Sequence, residues 1–500
     1  MTSVNTNIGA INAAFNMNKN SKAMTDAMAR LSSGLRVNTA ADDSAGVSIA
    51  QTMEAQIRGL SQSIRNADDA QNLIDTVEGA QIELVSVLQR LRELAVQASN
   101  DTNSDVDRTF IKAEATQLIQ EIDRIRGKTE WNGMNVLNGD FDSKSLQVGM
   151  NQHDTINVDV SDVSSSKIGA YVVTGSAMLN ASAAAGTNGI TGSDITVRGH
   201  LGTKALDVAA TNDAGDVVDL INGSESSYGV SAKAVTHMRF SDNTANGTIT
   251  IKIGQNGSVT SLTTVSATVT TTDLTNLRDA INAVSGDTGV TAGVLDGSNA
   301  SLLLKDADGD DIVLGDFTHS TTSATADVNA YNFTGTGTAT GAGANLVLKD
   351  TLAIDSVTVS GEIKVTSNKF FNIGTGAAEY FGGSGATATT YTGSLSTVGN
   401  INLGTQSGAS QAIDVLDTAI TMVNDQRATL GAISNRLDST INNLSNVVEN
   451  TKESQSHIQD ADFAAETSAL TKAQILNQAA TSMLAQANAS KQTVLALLQN

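Results

Sequence analysis

Five hundred residues are enough for several hydrophobic cores, and 30 basic against 52 acidic side chains leave a formal net charge of −22. That charge repels nucleic acid and anionic membranes, so binding to either is disfavoured. The chain contains no cysteine and no proline, and only 3% of its residues are aromatic. Disulfides and thiolate chemistry are therefore excluded.

The first twenty residues, MTSVNTNIGAINAAFNMNKN, lack the basic start and apolar core of a Sec-type signal peptide. No stretch of the chain is long and apolar enough to span a bilayer, which predicts no membrane insertion. If the protein leaves the cell, we expect another export route.

The first predicted element is an amphipathic helix from Ile8 to Leu35, with apolar residues at helical spacing and alanines between them. Gly34 and Asn38 then break the pattern. Asp42, Asp43 and Ser44 are residue types that cap a new helix.

The second predicted helix is long and follows a heptad pattern. After a register shift near Ala67–Ala70, its apolar positions recur in threes and fours at Leu73, Val77, Ala80, Leu84, Val87, Leu91 and Leu94. A turn at Asn100–Ser104 separates it from a third predicted helix, which contains Ile111, Ala115, Leu118, Ile122 and Ile125.

The central part of the chain reads as β-structure. Leu146–Val148 and Thr155–Val160 alternate as a hairpin does, and residues 176–400 are rich in Thr, Gly, Ser and Asp with short apolar alternations. This insert carries a repeat, because residues 219–232 match residues 279–292. Each copy predicts a short helix ending at Ile221 or Ile281, a loop, and a strand from Gly229 or Gly289. We expect two or more subdomains, with Ser320–Gly399 as a third, looser one.

A second long heptad stretch runs from Gln411 to Ile458 and predicts a helix about 70 Å long. Only the N-terminal quarter offers a partner of that length. The predicted fold class is therefore α+β: a long antiparallel coiled-coil rod of residues 43–175 and 401–460, with the β-rich insert in its middle. Its seam is predicted to contain Leu84, Leu91, Leu430, Leu437 and Leu444.

The last predicted helix, from Asp462 to Leu498, mirrors the first in its apolar, alanine-rich character. Residues 1–42 and 461–500 show no evident core of their own, so we expect them to be disordered or sticky in a free monomer. The residues predicted to bury themselves only on assembly are Ile8, Ile11, Leu31, Leu35, Leu470, Leu484 and Leu498.

The sequence shows no constellation for catalysis. The five histidines are scattered, and neither HExxH nor GxSxG occurs. Residues 306–311, DADGDD, have the alternating carboxylates of a calcium loop, but Phe317 stands where that loop needs a glutamate, and a charged hairpin turn is the alternative. We therefore predict no catalytic residues, no metal site and no cofactor.

Several long stretches of both terminal regions resemble bacterial flagellins: LSSGLRVNTAADDSAG from Leu31, LQRLRELAVQASNDTNSD from Leu88, TEWNGMNVLNG from Thr129, LGAISNRLDSTINNL from Leu430 and AQILNQAATSMLAQAN from Ala473. The resemblance implies a self-assembling subunit of the extracellular flagellar filament. Its implied partners are further copies of itself, the cap and hook-junction proteins, and a chaperone and the type III export apparatus. The alternatives are the flagellin-like hook–filament junction protein and a surface adhesin acting through the insert.

The resemblance also implies a surface for Toll-like receptor 5. The family's footprint centres on an arginine, a leucine and a glutamate, which match Arg90, Leu94 and Glu114. We expect the Arg90 guanidinium to be free for a partner's carboxylate. The alternative is that Leu94 belongs to the heptad seam and that the two charges are simply solvated.

Overall fold

The computed structural model describes residues 6–182, 192, 194–210, 212–255, 262–295, 297–335, 337, 345–350, 355–374, 378–381 and 390–498, without the side chains of 181, 182, 378, 379 and 491–498. The chain forms two compact units. One comprises residues 6–75, 143–159 and 430–498, and the other Thr76–Asp142 with the described part of Val160–Thr429.

The predicted fold class is confirmed, with long helices from both terminal regions and β-structure between them. Within the described residues the helices are α1 (Ile8–Ser33), α2 (Ser44–Ala98), α3 (Asp105–Lys128), α4 (Ala214–Asn222), α5 (Glu225–Tyr228), α6 (Thr275–Ala283), α7 (Ser285–Thr288), α8 (Ala378–Phe381), α9 (Gln406–Gln459) and α10 (Phe463–Leu498). None of these helices combines the length and apolar character that a membrane span needs.

Twenty-one strands are present among the described residues. They are β1 (Glu130–Trp131), β2 (Met134–Asn135), β3 (Lys144–Gln147), β4 (Thr155–Val158), β5 (Gly169–Thr174), β6 (Leu179–Ser182), β7 (Ile195–Arg198), β8 (Thr203–Leu206), β9 (Ser231–Ser241), β10 (Gly247–Gln255), β11 (Thr263–Val269), β12 (Thr291–Leu295), β13 (Ser298–Asp306), β14 (Ile312–His319), β15 (Thr325–Tyr331), β16 (Leu346–Lys349), β17 (Ser356–Val359), β18 (Glu362–Ser367), β19 (Asn372–Gly374), β20 (Tyr391–Thr392) and β21 (Ser394–Thr397).

Local side chains explain where the long helices begin and end. The Asp43 carboxylate accepts the backbone N–H groups of Ala45 and Gly46 at the start of α2. Ser104 and Asp107 form a reciprocal capping box at the start of α3. The buried Arg108 donates to the carbonyls of Ala98 and Asn100, at 3.0 and 3.2 Å, so it satisfies carbonyls left free where α2 ends.

In the second unit, α2 and α9 pair antiparallel along a heptad seam. Its buried positions recur in threes and fours on both helices, at Leu84, Leu88, Leu91, Ala95 and Ala98 of α2 and at Ala409, Ala412, Leu416, Ala419 and Val423 of α9. Ion pairs from Arg92 to Asp417 and from Arg427 to Glu78 flank this seam. The expected seam residues Ala80 and Val87 are only half-buried.

In the first unit, the same two helices form a smaller apolar cluster. Ile57, Leu60 and Val448 are buried, with Ile64 and Leu444 packed against them. Leu437 is fully buried, as is Leu430 at the start of this segment of α9. Leu444 is thus the one seam residue of the five predicted that remains partly exposed.

The described strands form three larger antiparallel sheets and two hairpins. One sheet has the order β11-β10-β14-β17-β6, another β12-β13-β9-β18-β5-β21 with β15 and β16 added at β9, and the third β20-β19-β7-β8. The hairpins are β1-β2 and β3-β4, and the second of these was predicted. Strands β15 to β18 complete sheets begun by earlier strands, so the described part of Ser320–Gly399 is no separate, looser subdomain.

Both copies of the repeat fold alike. In the first, Asn222 at the end of α4 exchanges two hydrogen bonds with the backbone of Ala232 in β9, at 2.8 and 3.0 Å. In the second, Asn282 does the same with Ala292 in β12, at 2.8 and 2.9 Å. Where the sequence predicts a loop, each copy instead has a one-turn helix, α5 or α7, which ends at a glycine in the left-handed conformation.

The acidic run at 306–311 connects β13 to β14 as a tight turn. The Asp306 carboxylate accepts the backbone N–H groups of Asp308 and Gly309, at 3.0 and 3.1 Å. Gly309 adopts a φ of 87°, which favours glycine. Among the described residues no group of three or more metal-ligating side chains is arranged to hold an ion. The turn is charged, but it joins strands of two different sheets, so it is not the hairpin turn given as the alternative in the sequence analysis.

A partly buried carboxylate attaches the sheet containing β9 and β18 to α9. Asp414 of α9 binds the ammonium groups of Lys233 and Lys364, at 2.7 and 2.8 Å. The Lys364 side chain is only 8% exposed. Burial raises the pKa of Asp414, but the two lysines outweigh it and hold that pKa below its ordinary value. The insert therefore contributes a charged contact to the helix as well as its own cores.

Candidate assembly and receptor surfaces

The two terminal helices pack against each other. Asn7 donates to the carbonyl of Ala487 at 3.1 Å, and Arg30 lies 3.8 Å from Glu466. The expectation that these helices have no partner within the monomer is therefore wrong. Leu35 lies outside α1, because Gly34 ends the helix in a left-handed conformation and Leu35 then pairs with Asp460 as an isolated bridge.

The surface that joins α1 to α10 is made mainly of small side chains. Along α10 the less exposed positions recur in fours and threes, at Glu466, Leu470, Ala473, Asn477, Ala480, Leu484 and Ala487. Along α1 the corresponding positions include Ala10, Ala13, Ala14, Met17, Ser21, Met24, Ala27 and Leu31. Small residues let two helices approach closely, but they bury little apolar area. Of the described side chains in the two helices, only Ala27 and Ala473 are buried.

Several large apolar side chains of the same helices face away from this contact. Ile11 is 57% exposed and Phe15 69% on α1, and Ile475 is 61% exposed and Met483 63% on α10. Ile8, Met28, Phe463 and Leu476 are exposed as well. Ile8, Ile11 and Phe15 follow helical spacing, so they form one stripe. We call these eight residues the terminal apolar surface.

The predicted terminal residues therefore divide into two groups. Ile8 and Ile11 belong to the terminal apolar surface, whereas Leu31, Leu470 and Leu484 lie half-buried between the two helices. The Leu498 side chain lies outside the described residues. The sequence analysis did not single out Ile475 and Met483. Both are large apolar residues outside the positions of α10 that recur in threes and fours. An apolar residue outside that stripe is the sequence feature that could have identified them.

The predicted receptor residues lie on α2 and α3. The Arg90 guanidinium donates to Glu114 Oε1, at 2.8 and 3.1 Å, and to Glu93 Oε2 at 2.9 Å. These hydrogen bonds, first that to Glu114, raise the pKa of Arg90. The expectation of a free guanidinium is therefore wrong, although both partners stay about half exposed.

Leu94 lies on the buried side of α2. Its exposed fraction is 2%, close to that of the seam residues Leu84 and Leu91. The structure thus brings Arg90 and Glu114 together at the surface and places Leu94 among the core residues. Of the three, only the ion pair offers side-chain atoms to a partner of the folded monomer.

Comparison with known proteins matches both terminal regions and the whole chain. Residues 4–142 match the bacterial flagellin N-terminal helical region, and residues 413–498 match the C-terminal helical region. The B-type flagellin of Pseudomonas aeruginosa is 34% identical over 502 residues, and the flagellin of Salmonella typhimurium is 34% identical over 530. Each alignment covers 99% of both chains. The solved structure of FliC from Burkholderia pseudomallei aligns with 73% of this chain and 99% of its own, at 20% identity and a TM-score of 0.30.

Proposed function

This chain belongs to the bacterial flagellin family, and we propose that the terminal apolar surface is what drives its self-assembly into the flagellar filament. The observation that carries the proposal is that Phe15, Ile11, Ile475 and Met483 are all more than half exposed on helices already paired within the monomer. Exposed apolar patches mark protein interaction sites, and Ile8, Ile11 and Phe15 form such a patch along one face of α1. A second copy of the same chain can cover them.

The proposed arrangement divides the chain by role. Residues 1–42 and 461–500 supply the filament core, residues 43–175 and 401–460 form the helical layer around it, and residues 176–400 face the solvent. The role is structural and not catalytic. Family membership also supports contacts with the cap and hook-junction proteins, and export through the type III apparatus with a chaperone, without a cleaved signal peptide.

Seeded polymerisation tests this function. Purified full-length chain, added to sheared filament seeds, should elongate them into filaments visible by electron microscopy. A chain lacking residues 1–33 and 463–500 keeps the backbone hydrogen bond from Arg36 to Gln459, 2.7 Å long, and both long helices. We expect this truncated chain to remain a helical monomer by circular dichroism and to add nothing to the seeds. Filaments formed by it would contradict the proposed mechanism.

We also propose that the Arg90–Glu114 pair contributes to binding Toll-like receptor 5. A charge-assisted contact at an interface can contribute more than the same pair does on a free surface, where salt and water screen it. Replacing both residues by alanine should weaken receptor affinity roughly tenfold. The melting temperature of the monomer should stay within about 2 °C of the parent, because the pair is exposed.

A second exposed ion pair provides the matched control. Arg92 and Asp417 are exposed to a similar degree and also involve α2. Arg92→Ala with Asp417→Ala should leave receptor affinity unchanged. Thermal unfolding and receptor affinity, measured on one preparation of each variant, distinguish a role in receptor binding from a role in folding. Unchanged affinity of the Arg90 and Glu114 variant, with a large loss of stability, would assign the pair to folding alone.

A further inference from the structure

Four methionine side chains are more than two-fifths exposed among the residues that the structure describes. They are Met28, Met134, Met150 and Met483, with exposed fractions of 44%, 49%, 45% and 63%. By contrast, Met178 and Met238 are buried. A peroxide oxidises a thioether only where it reaches the sulfur atom, so exposure ranks these side chains by susceptibility. Met483 stands first in that order.

The position of Met483 on α10 places it within an apolar stripe. It follows Leu476 by seven residues, which is about two helical turns, so both side chains lie on one face of the helix. Ile475 precedes Leu476 and is 61% exposed. Leu484, the residue after Met483, is half-buried. The Met483 thioether therefore lies in the part of the terminal apolar surface that α10 contributes, which a second copy of the chain can cover.

The other exposed methionines lack this position. Met28 follows Phe15 by thirteen residues on α1, which is a rotation of about 140° around the helix, so it lies off the stripe that contains Phe15. Met134 and Met150 lie outside the two terminal helices. Of the four exposed methionines that the structure describes, only Met483 therefore combines an accessible sulfur with a place in an exposed apolar stripe.

We propose that Met483 is a site of reversible oxidation by hydroperoxides, and that its sulfoxide form prevents the chain from adding to a filament. This inference rests on the proposed function, because it requires the terminal apolar surface to be the assembly contact. With hydrogen peroxide, the Met483 sulfur attacks one oxygen, so an S–O bond forms while the O–O bond breaks. The proton of the transferred oxygen passes to the departing hydroxide, which leaves as water. The sulfur loses two electrons and the peroxide gains them.

Oxidation changes what Met483 contributes to an interface. The thioether is apolar and adaptable, whereas the sulfoxide carries a strongly polar oxygen. Burying that oxygen against apolar side chains such as Ile475 and Leu476 costs free energy unless a hydrogen-bond donor accompanies it. A second copy that covers the sulfur also shields it, so the unassembled chain is the form that peroxide reaches. Methionine sulfoxide reductases, with a thiol as the electron donor, regenerate the thioether and water.

Peroxide treatment of the full-length monomer, followed by seeded growth, tests this proposal. Peptide mass spectrometry locates each sulfoxide by the mass of one added oxygen atom, and circular dichroism shows whether the helices remain. The critical concentration of the oxidised parent chain should rise roughly tenfold or more, because an apolar contact is lost and a polar group is desolvated. Treatment with both stereospecific methionine sulfoxide reductases and a thiol should restore the original value.

Matched variants assign the effect to one sulfur atom. Met483→Leu keeps an apolar side chain but removes the reactive sulfur, so its critical concentration should be the same before and after peroxide. Met28→Leu, and Met134→Leu with Met150→Leu, retain Met483 and should lose growth after peroxide as the parent chain does. If peroxide impairs growth of the Met483→Leu variant as strongly as that of the parent, other methionines suffice and the proposal is overturned.

The untreated parent chain separates this inference from the proposed function. If the untreated chain fails to elongate seeds, the proposed function is wrong and this inference falls with it. If the untreated chain grows, and chain shown to carry the Met483 sulfoxide grows equally well, only this inference is overturned. Oxidation of Met483 in preformed filaments as fast as in the monomer would also contradict it, since a covered sulfur should be protected.

Discussion

Replacing Ile11 and Phe15 by serine should steeply raise the critical concentration for seeded filament growth while leaving the terminal helices paired. Both side chains are more than half exposed, and the contact between α1 and α10 uses other residues. Burying such a side chain in a filament contributes about 1–2 kcal/mol, so the two together contribute roughly 2–4 kcal/mol per subunit. Because 1.4 kcal/mol corresponds to a factor of ten, the critical concentration should rise roughly 30- to 700-fold.

The neighbouring exposed residue supplies the control for this experiment. Asn16→Ser changes a polar side chain on the same turn of α1 and should leave the critical concentration unchanged. Sedimentation of polymer at several subunit concentrations measures this value, and circular dichroism shows whether α1 and α10 stay helical. Normal growth of the Ile11 and Phe15 variant would show that the terminal apolar surface is not the driving contact.

Asp414→Ala should lower the free energy of unfolding of the second unit by about 2–4 kcal/mol. The substitution leaves Lys364 buried with its only ion-pair partner among the described residues removed. Removing one member of a buried ion pair is costly because the remaining charge is uncompensated. Asp417 lies on the same helix as Asp414 and forms an exposed ion pair with Arg92 of α2. Asp417→Ala breaks that exposed pair and should change the free energy of unfolding little.

Acid should reveal the same contact. The pKa of Asp414 is lower in the folded chain than its ordinary value, so its contribution to stability is present above about pH 4 and is lost as pH falls further. The alanine variant should therefore lose less stability than the parent chain between pH 4 and pH 2.

Adding Lys364→Met to Asp414→Ala should restore part of the loss, since an apolar side chain does not require a counter-charge. Urea unfolding at several pH values measures the stability loss of Asp414→Ala, its pH dependence and the partial restoration by Lys364→Met. Parallel pH curves for parent and variant would refute this role.

The long helices and their capped ends follow from local sequence. Apolar residues at three- and four-residue spacing, uninterrupted by proline, predict α2 and α9, and the capping residues Asp43 and Ser104 mark where α2 and α3 begin. The repeat in the insert predicts two similar helix–strand units, because helix periodicity, the glycine and the strand residues recur sixty positions apart. These features depend on neighbours within one or two turns, so the order of residues alone determines them.

Contacts between distant segments required the tertiary structure. The heptad spacing of α2 allows either Ala80 and Val87 or Gln81 and Leu88 to lie in the seam. In the structure Gln81 and Leu88 are the buried pair, and only the packing of α9 decides this. Likewise, no local pattern shows that Lys233 and Lys364 meet Asp414, or that Glu114 occupies the Arg90 guanidinium. The terminal helices show the same division: their periodicity predicts two amphipathic helices, whereas their pairing through small residues leaves Phe15 and Met483 exposed. Sequence periodicity specifies which residues share a face, but what covers that face depends on the path of the whole chain.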